Sequence, residues 1–289
     1  MEKLVKAEFR KVFSTNIWWT LLIPTALVAF VWALIWSAFG GGLVDQMTQD
    51  PDFQQLGVNL HNTPVSVFAL SRAINITTVF PMLLGGLALS TEIRHKTLTT
   101  TYLTAPGRVS VLSAKLITYT VWGAIYGVVI SLAATGGIAL GSTAHTDLLP
   151  DATAWLQIAA AGVLESVLWT LLAVGVGAIF GTVVGTVITL LMYSIVVENL
   201  VTLVLPGHGP GFLPNQAGDG ITSALATQTY VHSLPPIPTN VHDNVILLIQ
   251  FAAGARGVFD WWVSALIFLL YSGIFFGIGW AVTENRDVT

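Results

Sequence analysis

Six long apolar runs constrain this chain more than any other feature of its 289 residues. A helix must supply about 20 mostly apolar residues to cross a hydrocarbon core roughly 30 Å thick, because each residue advances about 1.5 Å. The stretches 17–39, 66–90, 115–140, 155–180, 182–205 and 261–283 meet that requirement. The fourth and fifth run together, yet one continuous helix over both would be about 75 Å long, more than twice the core. The chain is therefore expected to fold back around 181–185. Composition agrees: 54% of residues are hydrophobic and only 9% charged, whereas a water-soluble domain carries roughly a quarter of its residues as charges. The expectation is one all-α membrane domain over residues 1–289, with six transmembrane helices.

The few cations lie unevenly. Lys3, Lys6, Arg10 and Lys11 precede the first run, Arg94, Lys96, Arg108 and Lys115 separate the second from the third, and Arg286 follows the sixth. The opposite loops hold Asp45, Asp50, Asp52, Asp147, Asp151, Asp219, Asp243 and Asp260, with only Arg72 and Arg256 as cations. Positive charge is retained on the cytoplasmic side, so both termini are expected there. A basic start before an apolar run also suits a signal peptide. This run exceeds 20 residues and no small-residue cleavage site closes it, so it reads as an uncleaved first span. Trp18, Trp19, Trp155, Trp261, Trp262 and Trp280 fall near run ends, where indole rings favour the interface.

Between the runs, three segments have their own character. Residues 1–13 place Leu4, Val5, Phe9, Val12 and Phe13 towards one side of a helix and Lys3, Lys6, Arg10 and Lys11 largely on the other. That pattern predicts an amphipathic helix in the headgroup plane, cations towards lipid phosphates, although any inward-facing first span carries a basic flank. Segment 91–114 is Thr-rich and broken by Pro106 and Gly107, which predicts a compact cytoplasmic protrusion of two short helical pieces. Segment 206–260 forms the largest loop, on the outer side. Its first part, PGHGPGFLPNQAGDG, argues against long regular structure. NVILLIQFAAGA, at 244–255, is apolar but too short to span, and suits a re-entrant or interfacial helix.

Much chemistry is absent from the sequence. No G-x-x-x-x-G-K-[ST] string occurs, so this chain hydrolyses no ATP by a P-loop, and any ATP-driven work needs a partner that binds ATP and Mg. There is no H-E-x-x-H helix, no G-x-S-x-G elbow and no Cys, and His61, His95, His145, His208, His232 and His242 all fall outside the run interiors. No catalysis, cofactor or metal is expected in this chain. A net charge of −4, thinly spread, gives no reason to expect nucleic acid.

The start KLVKAEFRKV, the six runs, the segment STEIRHKTLTTTYLTAPGRVSVLSAKLI, the outer loop before the sixth run and the tail NRDVT are similar, over essentially the whole chain, to a known family. It is the permease subunit of prokaryotic ABC-2 type transporters, also called type V exporters. The sharpest match is E-x-R-H-x-T followed by L-T-A-P-x-R and A-K-L; Lys96 stands where many members have Gly. The resemblance implies a cytoplasmic coupling helix around Glu92, Arg94, His95, Lys96, Thr97 and Arg108, docking on a separate ATP-binding subunit. It further implies two permease chains, identical or different, with the substrate passing between them, and location in the cytoplasmic membrane. A simpler reading of Arg94, Lys96 and Arg108 is that they only anchor the orientation.

Three ionisable residues fall inside runs. Glu165 lies about ten residues from the outer end of the fourth, Glu198 with Asn199 about seven from that of the fifth, and Arg72 about six into the second. A carboxylate at a helix centre costs about 2.5–3.5 kcal/mol on insertion scales, so these groups should face protein or a wet cavity. In the family the second and fifth spans line the substrate route, which suggests that Arg72 and Glu198 pair near its outer end. Otherwise Arg72 snorkels outward and Glu198 protonates or bonds a neighbouring helix. Glu165 either bonds between helices or meets a cationic substrate. Gly177, Gly181 and Gly185, and Gly273 and Gly277, recur at four-residue spacing that suits packing or a turn. The rival to a permease is an ion-coupled secondary transporter using Glu165 and Glu198, against which the lack of an inverted repeat counts.

Overall fold

The computed structural model describes residues 2–49, 63–95, 97, 107–205, 207–234, 242–255 and 259–285. Regular structure among them is helical throughout: α1 (Glu2–Ser14), α2 (Ile17–Gln49), α3 (Ser66–Thr77), α4 (Val79–Arg94), α5 (Arg108–Gly141), α6 (Ala152–Phe180), α7 (Val183–Leu191), a π-helical turn (Met192–Val197), α8 (Glu198–Val204), α9 (Pro214–Ser233), α10 (His242–Ala253) and α11 (Trp261–Asn285). Six stretches are long and apolar enough to cross a membrane: Ile17–Gln46, Ser66–Arg94, Val109–Gly141, Ala152–Phe180, Val183–Val204 and Trp261–Thr283. The chain is a multi-pass membrane protein. Of the cations that set the expected orientation, Lys96, Arg256 and Arg286 lie outside the described residues.

Several helices overrun the apolar runs. The first continues to Gln49 and the third begins at Arg108, because polar residues at a helix end do not stop it without a breaker. The second span is two helices, α3 and α4, meeting at Thr78 three residues before Pro81, which has no N–H to give to the preceding turn. The fold-back between the fourth and fifth spans occurs at Gly181, within the expected window. Its φ of 64° is left-handed, a conformation that glycine adopts without a Cβ clash, and its N–H caps the Gly177 carbonyl. Thr182 is extended and α7 starts one residue later.

Helix α6 packs against α4, α5, α9 and α11. Apolar burial drives little association among lipid chains that are themselves apolar, so close backbone approach and interhelical hydrogen bonds must hold the helices. Gly177 shows the approach: a Cβ there would lie 2.3 Å from the carbonyl oxygen of Gly86 on α4. By contrast, Gly273 and Gly277 face open space, and the packing glycine of α11 is Gly279. Helix α2 exposes Ile23, Leu27, Val31, Ile35 and Phe39, one stripe at helical spacing suited to lipid or another apolar surface.

The expectation for segment 206–260 is corrected. Its first part does not lack long regular structure: from Pro214, α9 runs for 20 residues and is buried against α3, α6 and α11. Pro214 opens it at a position where a missing N–H costs nothing, and small residues let it sit deep, with Gly218 against the rings of Trp169 and Phe268. The short apolar stretch at 244–255 is helical over most of its length, within α10.

Candidate functional site

At the end of the bundle where α1 lies, four charged side chains meet. Lys115 Nζ stands 2.7 Å from Glu8 Oε2 and 2.7 Å from Glu92 Oε1, while Lys11 Nζ stands 2.7 Å from Glu8 Oε1 and 3.2 Å from Glu92 Oε1. The cluster joins α1 to the end of α4 and the start of α5. Glu8 and Lys115 are buried, and the surround is apolar, including Val12, Leu84, Ala88 and Tyr119. These two carboxylates and two ammonium groups offset one another, which is what allows Glu8 and Lys115 to be buried there. Burial pushes the Glu8 carboxyl up, but Lys115 and Lys11 outweigh it and hold the group below its ordinary value.

This divides the residues expected to dock on a partner. Glu92 turns inward, its side chain 13% exposed and engaged with Lys115 and Lys11. Arg94, His95 and Thr97 are exposed, and the Thr97 hydroxyl lies 3.4 Å from the Glu92 carbonyl oxygen. Lys96, Pro106 and the rest of 98–106 lie outside the described residues, and Arg108 is described only as the first residue of α5. Glu8 escapes the sequence reading, although a signal exists: it sits four residues from both Leu4 and Val12, on the apolar stripe of α1.

At the other half of the bundle, Arg72 and Glu198 have separate partners. Both Glu198 oxygens accept backbone N–H groups at the start of α9, from Asn215 at 2.8 Å and Gln216 at 2.7 Å. An anion there satisfies donors that the helix leaves unpaired and meets its positive end. Arg72 does the converse at the end of α10: its Nε donates to the Ala252 carbonyl at 3.0 Å and its Nη2 to the Phe251 carbonyl. The guanidinium lies 4.9 Å from the ring centre of Trp36 and 5.3 Å from that of Phe251. Each charge is matched by a helix end, and the buried carboxylate of Asp219 interacts electrostatically with both.

Glu165 is fully buried and belongs to a hydrogen-bonded network between helices. The Thr222 hydroxyl of α9 lies 2.6 Å from Asn75 Oδ1 on α3 and 3.1 Å from Glu165 Oε2 on α6. Asn75 Nδ2 donates to the Ser223 hydroxyl at 3.1 Å, and Ser71 and Ser223 reach the Ala253 carbonyl at the end of α10. Asn199 folds its amide back on the π-helical turn, 2.9 Å from the Ile195 carbonyl. Widened turns of this kind recur at functional sites. A cleft of about 330 Å³ opens here between α3, the π-helical turn and α9, lined by Arg72, Asn75, Asn199, Asn215, Asp219 and Trp169 among others. Asp219 is expected only as an outer-loop acid and Thr222 has no expected role, because α9 itself was not expected; Asn75, on α3, is uncharged and does not stand out within an apolar run. No protein-family model and no curated protein sequence matches this chain.

Proposed function

We propose that this chain is the permease subunit of an ATP-driven exporter of the ABC-2 type, in a prokaryotic cytoplasmic membrane, with the α1 end facing the cytoplasm. The observation that carries the reading is the charged cluster of Glu8, Lys11, Glu92 and Lys115, with Glu8 and Lys115 buried. It clamps both roots of segment 91–114, the end of α4 and the start of α5, to α1. A partner that pushes on that segment pushes on the second and third spans and the amphipathic helix as one body. Separate ATP-binding subunits hold ATP and Mg, grip the exposed face at Arg94 and His95, and move the clamp when they close. The second span carries that movement to the cleft in the other half, where a second permease chain completes the path.

Charge reversal at the exposed face tests the docking role. Arg94→Glu with His95→Glu should leave the chain folded in the membrane but abolish retention of its ATP-binding partner on affinity purification. Undiminished retention would remove both residues from the interface.

The interior carboxylates Glu165 and Asp219 favour one other reading, a transporter driven by an ion gradient. Transport by reconstituted chain under a proton or sodium gradient, without ATP or any second protein, separates it from the first.

A further inference from the structure

Among the described residues, the interior of the cleft half carries three carboxylates, of Glu165, Glu198 and Asp219, against one guanidinium, that of Arg72. Two of the four groups are fixed by helix ends: Glu198 holds the first turn of α9 and Arg72 holds the last turn of α10. Glu165 does not line the cleft; one of its oxygens lies 3.1 Å from the Thr222 hydroxyl, and Oε1 is buried without a hydrogen-bond partner among the described residues. Asp219 differs. It lines the cleft at 9% exposure, and among the described residues neither of its carboxylate oxygens has a hydrogen bond or a cation within 4 Å. An ionised carboxylate in that position has only the Arg72 guanidinium, beyond ion-pair distance and bonded to α10, to offset it, which falls short of what a buried charge requires.

The rest of the cleft says what could supply it. Val79, Met82 and Trp169 give an apolar and aromatic wall, and Ile76 and Ile195 stand exposed at its rim, 46% and 59% accessible. The mouth thus opens on the apolar flank of the bundle, between the second and fifth spans. A cavity of about 330 Å³ falls at the lower end of the range for small-molecule sites. We propose that this cleft binds a small amphiphilic organic cation, with its ammonium group against the Asp219 carboxylate and its apolar body along the Met82 and Trp169 wall. The assignment gives a substrate class to the transport reading and rests on it. Arg72 does not oppose it, because the guanidinium is tied to the α10 carbonyls.

The test uses purified full-length chain in lipid nanodiscs, without any ATP-binding partner, and benzyltrimethylammonium as probe in a calorimetric titration. Saturable binding is expected, at least tenfold tighter than that of neopentylbenzene, its neutral carbon isostere. Asp219→Asn should weaken the cation at least tenfold while Asp219→Glu largely restores it. Ile76→Trp, at the exposed rim, should block entry without touching the acidic network, and so covers the case in which Asp219→Asn does not fold. Failure of the folded wild-type chain to bind the cation, or equal binding of the isostere, overturns the proposal. Because no partner is present, that failure leaves the ATP-driven reading standing, and loss of the partner in a pull-down leaves this binding result standing.

Discussion

Lys115 is the residue on which the cluster at the α1 end depends. Its side chain is 1% exposed and reaches two carboxylates, so removing the ammonium group leaves buried, unmatched negative charge. Breaking a buried pair in this way costs about 3–5 kcal/mol. Lys115→Met should lower the stability of the purified protein by that order, as read from unfolding in mixed micelles, whereas Lys11→Met, at a side chain 41% exposed, should cost less than about 1 kcal/mol. The cluster also makes stability depend on pH. The Glu8 carboxyl sits below its ordinary value of 4.5 in the folded protein, so the unfolded chain takes up its proton first. The contribution is complete above 4.5 and disappears as pH falls through the lower folded value; melting curves taken from about pH 6 to pH 3 should show it. Lys115→Met should flatten that dependence. Little of this was legible in the sequence. Lys11 and Lys115 read as orientation signals and Glu92 as a docking residue, because a single charge near a span end carries no record of which distant charge will meet it.

Among the elements, the apolar runs and the glycine turn were readable because both rest on local rules: a length to cross the core and a backbone conformation that a side chain resists. Packing was readable only in part. The spacing of Gly177, Gly181 and Gly185 marks one glycine that touches another helix and one that turns the chain, but the same spacing at Gly273 and Gly277 marks open space. Gly177→Ala should therefore destabilise by about 1–3 kcal/mol, since its methyl would press on the Gly86 carbonyl of α4. Gly273→Ala should stay within about 0.5 kcal/mol of wild type. Thermal melts in the same detergent decide between them, and equal effects would show that spacing, not contact, sets the cost. Helix α9 was the element least visible. Its Gly and Pro read as loop signals, and what overrides them is tertiary: Glu198 on another helix supplies the cap, and Trp169 and Phe268 supply a surface that only a small residue can meet.

For the molecule as a whole, the two halves differ in how they hold charge. At one end a cluster of opposite charges around buried Glu8 and Lys115 ties α1 to both roots of the 91–114 segment. In the other half, helix ends hold Arg72 and Glu198 apart and leave an acidic cleft beside a π-helical turn. The second span belongs to both, since α4 carries Glu92 and α3 carries Arg72 and Asn75. On the proposed reading, that shared span would carry energy released by an ATP-binding partner at one end to a ligand at the other. Affinity purification of the tagged full-length chain from its native membrane, followed by mass spectrometry and an ATPase assay, tests this most directly. Recovery of an ATP-binding chain carrying a P-loop is expected, with ATPase activity lost when Arg94 and His95 are both replaced by Glu. Recovery of the folded chain with no ATP-binding protein, under conditions that preserve other membrane complexes, would contradict it.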